Sequence, residues 1–205
     1  MNSTVKLVAL LAIVATASAA CDSNSITDEN AEPLQSVLAE NIPADPIVGV
    51  VQGRPVGAGL VTYYSLRTNS MVSGPTSEEW DLALQGTSIF VNAGTSGPGN
   101  GGVQIVEGTF EELTEAPVGG YTVDSTDGTA IPAGSGNGWY NYNPATNAIT
   151  PIPGRVLVIR TADGRFAKIK ILNYYRDSPA EITAASESRY YTFEYVLQAN
   201  GSRAF

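Results

Sequence analysis

Chemistry at neutral pH usually starts from histidine, and this chain of 205 residues has none. Ser-His and Cys-His nucleophile pairs and imidazole metal sets are thereby excluded. Acid-base work falls to carboxylates, of which Glu78, Glu79, Asp81 and Glu194 are the candidates. A glycosidase needs two such groups facing each other across a cleft, and the adjacent Glu78 and Glu79 read instead as a solvated turn ahead of a strand. Asp124-Ser125-Thr126-Asp127-Gly128 opens like a calcium loop but lacks the terminal acidic ligand, so a β-turn is expected there. The glycine-rich run Gly94 to Gly102 is not followed by the Lys-Ser/Thr of a phosphate-binding loop. No catalysis is expected. The side chains best placed to bind something are aromatic. Trp139, Tyr140 and Tyr142 follow a glycine-rich loop and precede the turn Pro144-Ala145-Thr146-Asn147, and loops carried by a rigid sheet are where binding residues concentrate. Core packing is the competing role for each of these rings.

The only cysteine, Cys21, is chemically placed as well. Lys6 precedes the apolar run Leu7 to Ala15, and Ser18-Ala19-Ala20 stands directly before Cys21. This is a secretory leader, too short in its apolar part for the roughly twenty residues of a membrane span. Small residues ending on the chain's single cysteine match a lipobox with Ser in place of the usual Leu, so acylation of Cys21 and a lipid anchor at a membrane surface are expected. The alternative is ordinary cleavage after Ala19, leaving a secreted or periplasmic soluble protein. From Cys21 to Pro46 the chain is acidic and rich in Ser, Asn and Ala, a composition that buries little. It reads as a flexible tether, with at most one helical turn at Leu34 to Leu38. The organisation expected is therefore a signal peptide over 1–20, a tether over 21–46 and a folded domain over 47–205.

That domain must hold the aromatic residues in place. Low charge, 21 Gly and 12 Pro favour short strands and turns, and no long window shows helical periodicity. The fold class expected is all-β with antiparallel sheets. Strands are expected at Gly59 to Leu66, Trp80 to Leu84, Thr87 to Asn92, Val103 to Val106, Trp139 to Tyr142, Arg155 to Thr161, Phe166 to Leu172 and Tyr190 to Gln198. Asp163-Gly164 predicts a tight hairpin joining the sixth and seventh. Ala167, Ile169 and Ile171 alternate with Lys168 and Lys170, as in a sheet with one solvated face. A net charge of −9 repels a phosphate backbone, so nucleic acid is not an expected partner.

Glu79-Trp80-Asp81-Leu82-Ala83-Leu84, followed by Asn92-Ala93-Gly94-Thr95-Ser96-Gly97-Pro98-Gly99-Asn100-Gly101-Gly102, resembles the HmuY-like lipoprotein family. Gly138-Trp139, the run Ile159 to Lys170 and the closing Tyr191-Thr192-Phe193-Glu194-Tyr195-Val196 agree, so the resemblance spans Leu60 to Phe205. It implies a hand-shaped β domain on an outer-membrane lipoprotein that captures haem for iron acquisition and passes it to a TonB-dependent receptor. In that family two loop side chains, commonly His and in some relatives Met, clamp the iron. Here Pro144 stands where one would fall, Thr126 to Ala133 supplies no other, and Met71, the only methionine beyond the leader, reads as a strand residue near a turn. What remains for haem is a phenolate from Tyr140 or Tyr142, or packing of the porphyrin against aromatic faces that include Trp139. The alternative is the same scaffold holding a different apolar or glycan ligand. An anionic porphyrin would also need local cations, for which Arg155, Arg160, Arg165 and Lys168 around one hairpin are the candidates.

Overall fold

The computed structural model describes residues 34–205, so the leader, Cys21 and the first part of the expected tether lie outside the described residues. All eight expected strands form: β4 (Thr62–Ser65), β6 (Leu82–Gln85), β7 (Ser88–Val91), β8 (Gly102–Glu107), β9 (Tyr140–Asn143), β11 (Arg155–Arg160), β12 (Phe166–Tyr175) and β13 (Ser188–Gln198). Five more join them: β1 (Val37–Pro43), β2 (Ile47–Val51), β3 (Arg54–Gly57), β5 (Ser70–Val72) and β10 (Ala148–Pro151). They build a five-stranded sheet in the order β1-β13-β12-β11-β8, a four-stranded sheet in the order β5-β4-β6-β7, and two separate hairpins, β2–β3 and β9–β10. Every pairing is antiparallel.

Alternation along the long strands explains the core. Ala167 and Ile169 on β12, and Tyr191, Phe193 and Tyr195 on β13, are at most 1% exposed. They meet Tyr64, Leu82, Leu84, Ile89 and Val91 from the four-stranded sheet in one apolar cluster. Each of the Leu, Ile, Val and Phe side chains among them contributes about 1.5–3 kcal/mol by leaving water. The opposite face of β12 departs from the expected solvated one. Lys168 is only 6% exposed, because the chain after β8 and the C-terminus cross this face and form a second, smaller core around Phe110, Val156, Val158 and Val196, with Phe205 packed against it. The Lys168 ammonium donates to the carbonyls of Phe110 (2.7 Å) and Leu113 (2.9 Å) and lies over the Phe110 ring at 4.6 Å. Burial, the main cause, lowers its pKa.

Two further departures have local causes. The tether was expected to run to residue 46 with a helical turn near Leu38, yet Val37–Pro43 is an edge strand paired with β13 from Val37↔Tyr195 to Pro43↔Tyr190. Ala39, 2% exposed, is its buried contribution to the core. Asn41, at φ 55°, makes the irregularity between Ala39 and Ile42, and its side chain exchanges hydrogen bonds with Asp177. In the β11–β12 hairpin only Gly164 has positive φ (84°), while Asp163 does not. Gly164 N–H donates to the Thr161 carbonyl at 3.0 Å, closing a four-residue turn, and Asp163 accepts from the Thr161 hydroxyl at 2.6 Å and pairs with Arg67 at 3.1 Å.

The residues that carry the family resemblance are internal ties. Asp81 is 1% exposed and accepts from the backbone N–H groups of Leu66 (2.9 Å) and Ala162 (3.1 Å), which fastens β6 to the β11–β12 hairpin. Desolvation, the first cause, raises its pKa. Asn92 is fully buried, donates to the Ser77 and Trp80 carbonyls and accepts from Gly99 N–H, so the glycine loop wraps it. Asp124 accepts from Val91 and Ala130 N–H groups at 2.9 and 2.7 Å, and Ser125 pairs with Gly128 across the expected turn. Of the acid-base candidates, Asp81 thus serves as an acceptor for buried backbone donors.

Candidate functional site

The two free hairpins border a groove of about 720 Å³, within the range of small-molecule sites. β2 and β3 owe their hairpin to Gln52-Gly53, both at positive φ (49° and 77°) and flanked by the Val51↔Arg54 pair, the geometry that matches the twist of two strands. They supply Ile47 and Pro55 to one wall. β9 and β10 join through Pro144 to Asn147, the last at φ 55°, and supply Tyr142 and Ile149 opposite. The β6–β7 turn, Tyr174, Tyr175 and Arg189 line it as well. Tyr175 Oη accepts from Ile149 N–H at 2.9 Å, tying β10 to β12.

The three aromatic residues singled out from the sequence separate. Tyr142 faces the groove and is 43% exposed; its hydroxyl donates to Asn147 Oδ1 at 2.7 Å and its N–H to the Ser135 hydroxyl at 2.8 Å. Trp139 and Tyr140 do not line the groove: at 2% and 9% exposure they belong to the main core. The Trp139 ring packs 5.0 Å from Tyr140, 5.6 Å from Tyr174 and 5.1 Å from Tyr191, and its indole N–H donates to the Thr87 carbonyl at 2.9 Å. An indole buried with its N–H satisfied is a packing residue, and here it backs Tyr174. Burial raises the phenol pKa values of Tyr174 and Tyr191.

Pro144 is exposed in the β9–β10 turn, Thr126 and Asp127 are exposed in theirs, and Met71 lies on β5, 59% exposed and away from the groove. The cations expected to face a ligand are engaged elsewhere. Arg155 pairs with Glu107 at 3.1 Å and also donates to the Gly138 carbonyl. Arg160 donates to the Asn100 and Gly101 carbonyls, Arg165 lies beside Asp163 at 3.6 Å, and Lys168 is buried. The groove's cation is Arg189, which the sequence reading passed over, along with Ile47, Pro55, Tyr174 and Tyr175. One signal was available, the Gln52-Gly53 pair directly after the β-branched run Ile47-Val48-Gly49-Val50-Val51. Arg189 had none, because its place depends on where β13 begins relative to distant hairpins.

Two antiparallel sheets around a shared core, with paired hairpins flanking a groove and buried carboxylates committed to backbone donors, define an all-β scaffold. Residues 60–195 match the HmuY protein family model, and the chain belongs to that family. No curated protein matches it. Among solved structures it is similar to an apo HmuY analogue from Tannerella forsythia, at 16% identity over 82% of this chain and 99% of that one, TM-score 0.48. It is also similar to a Bacteroides vulgatus protein described as HmuY-like and heme binding, at 20% identity over 66% and 84%, TM-score 0.44. A third is a Bacteroides fragilis protein described as a lipoprotein, at 20% identity over 66% and 83%, TM-score 0.41.

Proposed function

We propose that this chain is a lipid-anchored cell-surface protein that captures haem or a related tetrapyrrole, without catalysis, in the groove between the β2–β3 and β9–β10 hairpins. The observation that carries this reading is a groove of about 720 Å³, lined by Ile47, Pro55, Ile149 and Tyr174, in a member of the HmuY family. Tyr142 is the side chain proposed to meet the iron. Its phenol is the exposed one in the groove, phenolates serve as haem ligands in some proteins, and the Asn147 amide fixes its direction. Trp139 and Tyr140 act behind it, in the core. Cys21 is the proposed acylation site, residues 1–20 its removable signal, and a TonB-dependent outer-membrane receptor the proposed recipient of the cargo.

Ferric haem titrated into the purified full chain is expected to give a saturable one-to-one Soret shift, with Tyr142→Phe changing the position of the bound band. A saturable shift unaltered in Tyr142→Phe would remove the phenolate and leave packing alone. Cys21→Ser is expected to move the protein from the membrane fraction to the soluble one. The polar part of the wall, Ser88, Thr146, Asn147 and Ser186 among it, favours a second reading in which the groove holds a glycan. No saturable response to haem in either oxidation state, with a response to a sugar panel, would select it.

A further inference from the structure

We infer that Arg189 is the anion anchor of the groove, so that its ligands join an apolar body to a carboxylate. The inference rests on the groove being the binding site and adds the class of ligand it selects. Its first support is a charge contrast. The chain carries a net charge of −9, yet the lining of the groove among the described residues contains no Asp or Glu and a single cation, Arg189. An acidic protein that clears its acids from one concave surface thereby leaves a guanidinium as the charge presented to a ligand there, while the more buried Asp45 beside it offsets its field at longer range.

The second support is the way Arg189 is built in. Its backbone is at φ 72°, a left-handed conformation that costs an L-residue free energy and persists only where the surroundings fix it. They do fix it: Nη1 donates to the Asp45 carbonyl at 2.9 Å and pairs with Asp45 Oδ2 at 3.2 Å, and Nη2 donates to the Pro55 carbonyl at 3.3 Å. Gly57 leaves room for this pair, since a Cβ there would collide with both the Asp45 carboxylate and Arg189 Nη1. Asp45 faces inward, its Oδ1 accepting from Leu60 N–H at 2.9 Å. The pair is therefore asymmetric, with the Asp45 side chain 9% exposed and the Arg189 side chain 19% exposed. A guanidinium has five N–H donors in a planar fork that matches a carboxylate; the three contacts to Asp45 and Pro55 leave two of the five for a ligand, and the side chain is part of the groove lining. The apolar part of the same lining is Ile47, Pro55, Ile149, Ile182 and Tyr174.

The test compares ferric haem, which carries two carboxylates, with its dimethyl ester on the full chain. The free acid is expected to bind about tenfold tighter or more, as for one charge-assisted hydrogen-bonded pair. Arg189→Gln is expected to weaken the acid to the affinity of the ester while leaving the ester unchanged, and Arg189→Lys to recover part of the difference. Because Arg189→Gln orphans Asp45, the double variant Asp45→Asn/Arg189→Gln is measured beside it and is expected to behave the same way. Equal binding of acid and ester by the unaltered chain would overturn the anchor and leave haem capture standing. Saturable binding of neither would overturn the haem reading and the anchor with it.

Discussion

At the residue scale, the chemistry of this chain is decided by what its carboxylates and rings touch. Asp81 belongs to the family's Trp-Asp block and its role is structural. Asp81→Ala leaves the Leu66 and Ala162 N–H groups buried without acceptors, and a loss of about 2 kcal/mol or more is expected, read as a lower urea midpoint with unchanged slope. The pH dependence adds a signature. Burial raises the folded pKa of Asp81, so the folded protein binds this proton more tightly than the unfolded chain. Its contribution favours folding most below the ordinary carboxylate range and declines as pH rises from there to the raised folded value. The wild-type minus Asp81→Ala stability difference should therefore fall with rising pH across that window. A flat difference curve would show that the carboxylate is not held above its ordinary range. That Asp81 is buried was not legible from the sequence, where an acid beside a tryptophan reads equally as a turn or a site. What decides it is the hairpin that arrives from Ala162, far along the chain. Trp139 was misplaced for the related reason that a ring's side of a sheet depends on the partner strand, and β9 pairs with β10, a strand the sequence pattern did not reveal.

At the element scale, β1 changes where the folded unit begins. A chain starting at residue 47, the boundary that composition suggested, strips an edge strand from β13 and uncovers the site where Ala39 packs. It is expected to aggregate or melt at clearly lower temperature, because it exposes unpaired strand N–H and C=O groups and apolar surface together. A chain starting at residue 34 should melt like the full protein. Equal melting of all three would show that β1 adds nothing. Gly164 allows a cleaner measurement, since an added Cβ there meets nothing within 4 Å. The cost of Gly164→Ala is then purely that of holding an L-residue at φ 84°, about 1–2 kcal/mol, and a thermal melt that does not move would contradict the turn geometry. The long strands were legible because their alternation is strong and their ends carry Gly, Pro or Asp-Gly. β1, β2, β3 and β10 were not, because each exists only through its pairing partner, whereas β5 was legible only at Met71. The same cause hid the covered face of β12: nothing in Lys168-Ile169-Lys170 announces that Phe110 and Phe205 will cross over one lysine and leave the other at the surface.

At the scale of the whole molecule, the local sign of charge at Arg189 and the global sign oppose each other, and kinetics can separate them. An anionic porphyrin approaching from a distance meets the field of a chain with net charge −9, which repels it. Within the groove it meets the Arg189 guanidinium, whose partner Asp45 is the more buried of the pair and is not part of the lining. The Debye length shrinks from about 30 Å at 0.01 M salt to about 8 Å at 0.15 M, so salt removes the long-range repulsion first, while a half-buried contact at Arg189 is screened less. The association rate should therefore rise several-fold between these two salt concentrations, with the dissociation rate nearly constant, when stopped-flow mixing follows an anionic porphyrin binding the full chain. This is the reverse of a site that steers its ligand, where added salt slows association. A rate that falls with salt would mean that the positive field extends well beyond the groove and that Arg189 is one member of a wider basic surface. A rise in association accompanied by much faster dissociation would mean that the contact at Arg189 is solvent-screened, and would move ligand selection from the guanidinium to the apolar lining.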